Sequence, residues 1–91
     1  MAISSLETAE ARYEKADSAF LRAVRGGATR TSLAAAARAV ATAAAAYNDA
    51  AYSRYHQSTG GERAELDLLT GRTEVLAELW SDLAEAYEQQ T

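Results

Sequence analysis

A chain of 91 residues with a net charge of −4, no cysteine and no proline makes one domain with a modest core, and it cannot form a disulfide, a thiolate nucleophile or a zinc–cysteine site. The charge is unevenly spread: residues 1–26 carry four basic and four acidic groups, 27–58 three and one, and 59–91 two and eight, so the C-terminal third stands at −6. Binding to a phosphate backbone wants clustered Lys and Arg, so direct nucleic-acid binding is not expected.

No run approaches the roughly 20 apolar residues of a membrane span, and the first fifteen residues, MAISSLETAEARYEK, lack the apolar core of a secretory signal. A cytoplasmic protein with no membrane contact is therefore expected. Eight arginines to one lysine, with an excess of alanine, point to a GC-rich genome of phage or actinobacterial type.

The first predicted helix covers about residues 5–25. Ser4-x-x-Glu7 reads as a capping box, and Leu6, Ala9, Tyr13, Ala16, Phe20 and Ala23 recur at spacings of three and four, forming one apolar stripe. Gly26-Gly27 ends it, because glycine closes a helix in the left-handed conformation without steric cost.

The second predicted helix, about 30–57, is alanine-loaded. Its stripe runs through Leu33, Val40 and Tyr47, and nearly every other position in its first half is also alanine. Alanine is the best helix former and lets neighbours come close, so a central position between two other helices is expected. Past Tyr47 the character changes to Tyr52, Arg54, Tyr55 and His56. Tyr and Arg are frequent at the centres of interfaces, which makes this cluster a candidate partner-binding patch. The competing reading is that tyrosines cover the end of a bundle with their hydroxyls in water.

The third predicted helix, about 62–89, follows a Gly60-Gly61 turn and shows the strongest pattern. Leu66, Leu69, Thr73, Leu76, Trp80, Leu83 and Tyr87 form a heptad seam, and Leu68, Val75, Leu79 and Ala86 add a second flank. A stripe this wide asks for two neighbours. Gly71 lies on the outer side and marks a candidate kink at 70–71, although an unbroken helix is expected. Glu74, Glu78, Asp82 and Glu85 line an acidic face.

Together these features predict an all-α protein, a three-helix up-down-up bundle or elongated helical hairpin that completes its core as a homodimer. The core or dimer interface is expected from Leu6, Tyr13, Phe20, Leu33, Val40, Tyr47, Leu66, Leu69, Leu76, Trp80, Leu83 and Tyr87.

No cofactor or metal motif is present, and none is expected to bind. The leading functional expectation is a non-enzymatic protein-interaction module, an adaptor, regulator or inhibitor working through Tyr52, Arg54, Tyr55, His56, Glu74, Glu78, Asp82 and Glu85. One variant is an acidic mimic of nucleic acid that blocks a nucleic-acid-binding protein. The enzymatic alternative is a small helical enzyme. Acidic ridges Glu7, Glu10, Glu14, Asp17 and Glu74, Glu78, Asp82, Glu85 would suit a magnesium-dependent nucleotide hydrolase, and Arg12, Lys15, Arg22 and Arg38 a mutase-like dimer. His56 is the lone histidine and has no oriented nucleophile beside it in sequence. A third alternative is a structural assembly component.

Overall fold

The computed structural model describes residues 5–90, and these form three helices: α1 (Leu6–Arg25), α2 (Arg30–Gln57) and α3 (Gly60–Gln89). The Ser4 end of the predicted capping box lies outside the described residues. The cap observed is Ser5, whose hydroxyl accepts from the Thr8 amide at 3.1 Å.

Gly27, with φ +72°, closes α1. The Gly27 amide donates to the Val24 carbonyl and the Ala28 amide to the Ala23 carbonyl, the paired bonds of a Schellman motif. Thr29 then caps α2 by accepting from the Ser32 amide.

The second reversal differs from expectation. Ser58 and Thr59 make the link, and α3 begins at Gly60, two residues before the predicted start at Glu62. Gly60 has φ +65° and supplies the left-handed step, while Ser58 is buried and its hydroxyl donates back to the Tyr55 carbonyl at 3.1 Å. α3 continues without interruption through Thr70 and Gly71.

α2 is the spine. It packs on both α1 and α3, whereas no Cα of α1 lies within 8 Å of one of α3 among the described residues. Ala37, Val40, Ala44 and Ala51 of α2 are fully enclosed. The rod measures 46 × 24 × 22 Å, which matches a 28-residue helix at about 1.5 Å per residue.

The backbones of α1 and α3 stay apart, and aromatic side chains fill the space between them. Phe20 meets Trp80 edge-on with centroids 5.1 Å apart and Tyr87 at 6.1 Å, and the Trp80 indole N–H donates to the Tyr13 hydroxyl at 3.3 Å. Tyr13 also packs on Tyr47 at 5.8 Å. Such pairs add roughly 0.5–1.5 kcal/mol each beyond the area they bury.

The expected seam of α3 is buried in part. Leu66 and Thr73 of the seam are buried together with Thr70 and Ala84 beside it, where small residues against the alanines of α2 allow the closest approach, and Leu69, Leu76, Trp80 and Tyr87 are half-buried. Leu83 sits at the rim, and the flank Leu68, Val75, Leu79 and Ala86 faces outward instead of meeting a neighbour in the chain. Thr73 is buried without loss, since its hydroxyl donates to Asn48 Oδ1 at 2.7 Å.

Candidate functional site

The end of the rod where α2 turns into α3 gathers the aromatic cluster. Tyr52, Tyr55 and His56 fall at spacings of three and four on the last turns of α2, so they share one face. The His56 ring stacks on Tyr52 at 6.3 Å and meets Tyr55 edge-on at 5.5 Å. The guanidinium of Arg63, from the first turn of α3, lies over the Tyr55 ring at 4.4 Å.

The cluster divides by role. Arg54 is half-buried and bridges three helices, pairing with Glu7 of α1 at 3.3 Å and Glu62 of α3 at 3.6 Å. Glu7 titrates below its ordinary value because its own backbone amide donates to it, with the positive Arg54 adding to the effect. Arg54 and Tyr55 thus tie the end together, and Tyr52 and His56 are left exposed. The sequence offered Arg54 as a contact residue, and in the fold its guanidinium is engaged by Glu7 and Glu62.

From this end an acidic edge runs along α3. The Tyr52 hydroxyl donates to Glu74 at 3.4 Å, joining the aromatic face to the carboxylates. Glu78 and Asp82, one and two turns further on, form one wall of a shallow groove whose floor is Ala41, Ala45 and Ala77 and whose far wall is Arg38 and Thr42. Glu85 continues the edge one turn beyond and is exposed. The fold therefore joins the two halves of the sequence-predicted patch into one strip.

Arg38 closes the strip. Its guanidinium makes a two-pronged bond to Glu88, at 2.8 and 3.0 Å, which raises the Arg38 pKa and lowers that of Glu88. The pairing was not read from the sequence, because the residues lie 50 positions apart and no local spacing reports it.

The acidic ridges do not converge. Among the described residues no three His, Asp or Glu side chains come together in a group that could hold a metal ion. Tyr47 titrates above its ordinary value because burial penalises the phenolate and Glu10 stands nearby. Among the described residues no helix is long and apolar enough to cross a membrane.

Comparison with family models, curated proteins and solved structures finds no match to this chain.

Proposed function

We infer that this protein is a non-enzymatic interaction module that holds a protein partner along the strip from Tyr52 and His56 to Asp82. One observation carries the reading: exposed aromatic rings, an acidic wall and an alanine-floored groove are continuous on one side of the rod. Small floor residues admit a helix at close range, and carboxylates along one wall select Lys or Arg on it. The partner is accordingly a protein presenting a basic helix, and a nucleic-acid-binding protein, whose surface is basic by necessity, is the sharper version of the same reading.

Affinity capture from the native host, with mass-spectrometric identification, tests this in paired form. Wild-type protein retains a partner that is lost with the double variant Tyr52→Ala/Glu74→Lys and released as ionic strength rises, because exposed charge pairs are screened within about 8 Å at physiological salt. A partner held equally by the variant, or insensitive to salt, overturns the assignment.

A further inference from the structure

Among the described residues the outer flank of α3 carries the most exposed large apolar side chains. Leu68 is 72% exposed, Val75 53% and Leu79 59%, and Leu83 borders them. These residues continue at spacings of three and four through Arg72, Asp82 and Ala86, giving Leu68, Arg72, Val75, Leu79, Asp82, Ala86 as one coiled-coil-like stripe with two opposite charges set into it.

The stripe is self-complementary about position 77. Turned end for end, it places Leu68 opposite Ala86, Arg72 opposite Asp82 and Val75 opposite Leu79, and the same two-fold rotation repeats each pair. Parallel alignment would instead set Arg72 on Arg72 and Asp82 on Asp82. Neither Arg72 nor Asp82 has an ion-pair partner inside the chain among the described residues.

We propose that α3 pairs with α3 of a second copy of this chain, antiparallel, with the two-fold axis at Ala77 and two Arg72–Asp82 ion pairs fixing the register. The half-buried Leu69 and Leu76 and the exposed rim residue Leu83 extend the seam on its core side, Leu76 meeting its own copy and Leu69 meeting Leu83. This joins the dimer seam to the monomer core. On the other side Glu78 approaches its own copy, a like-charge contact that weakens the pairing. The seam runs about 27 Å from residue 68 to residue 86. It faces away from α2; Asp82 and Glu78 lie where this seam borders the acidic edge used in the partner reading above, and Tyr52, His56 and Glu74 lie outside it.

Sedimentation equilibrium on the full chain should give twice 9.7 kDa. Arg72→Asp and Asp82→Arg should each weaken dimerisation by on the order of tenfold or more, and the double variant R72D/D82R should restore it. Because the chain has no cysteine, single-cysteine variants report orientation directly. Under oxidation, a mixture of L68C and A86C should form the mixed disulfide, whereas neither should link to itself. All substituted positions are exposed, and circular dichroism confirms that each variant stays helical. A 9.7 kDa mass at concentrations on the order of 100 µM overturns the proposal. So does a charge swap without effect, or self-linking of L68C, which would mark a parallel pair.

Discussion

Glu88 and Arg38 show how a single surface contact becomes a pH dependence. The Arg38 hydrogen bond holds the Glu88 carboxyl below its ordinary value of 4.5, and Glu7 is lowered too, by its own amide and by Arg54. A carboxyl whose pKa is lower folded than unfolded adds stability above its unfolded pKa, and that stability is lost as pH falls through the folded value. Both carboxylates are open to solvent, so the effect is small and screened by salt. Unfolding followed by circular dichroism should therefore show stability falling as the pH drops below about 4.5, and Glu88→Gln should lower neutral-pH stability slightly and flatten the fall by that same small amount, the two profiles meeting in acid. An unchanged acid profile in the variant would show that the contact contributes nothing in solution. None of this was legible in the sequence: periodicity identifies which face Glu88 occupies but not which cation lies across from it.

At the scale of the element, α3 keeps its course through a residue that disfavours helix. Gly71 is exposed, and a Cβ added there would meet no atom within 4 Å. Its only effect on the helix is entropic. Gly71→Ala should raise stability by about 0.5–1 kcal/mol in urea unfolding, and a loss instead would show that α3 bends at this point. The three helices themselves were readable from spacing. The start of α3 was not, because two glycines in a row look like a turn, whereas only Gly60 takes the left-handed step and Gly61 already lies within the helix. The aromatic cluster was likewise legible as a shared face of α2. That Arg54 serves the fold depended on Glu7 and Glu62 arriving from two other helices.

The whole molecule is an alanine spine with bulk supplied by its neighbours. Ala44 is fully buried within it, so Ala44→Leu should overpack the interior and lower stability by about 1–3 kcal/mol in thermal unfolding. A neutral result would mean that α2 is not held between two partners. The sequence by itself determined three helices, their order, an alanine-rich centre and the apolar faces, because each follows from the 3.6-residue period and from propensity. Only the tertiary structure decided how the wide apolar arc of α3 is shared. Small residues seat it on α2, Trp80 and Tyr87 turn to Phe20 of α1, and Leu68, Val75 and Leu79 remain outside. A helical period states which side chains lie together on a helix. The angle at which neighbours meet it depends on how closely the backbones can approach, and small residues on both surfaces set that distance.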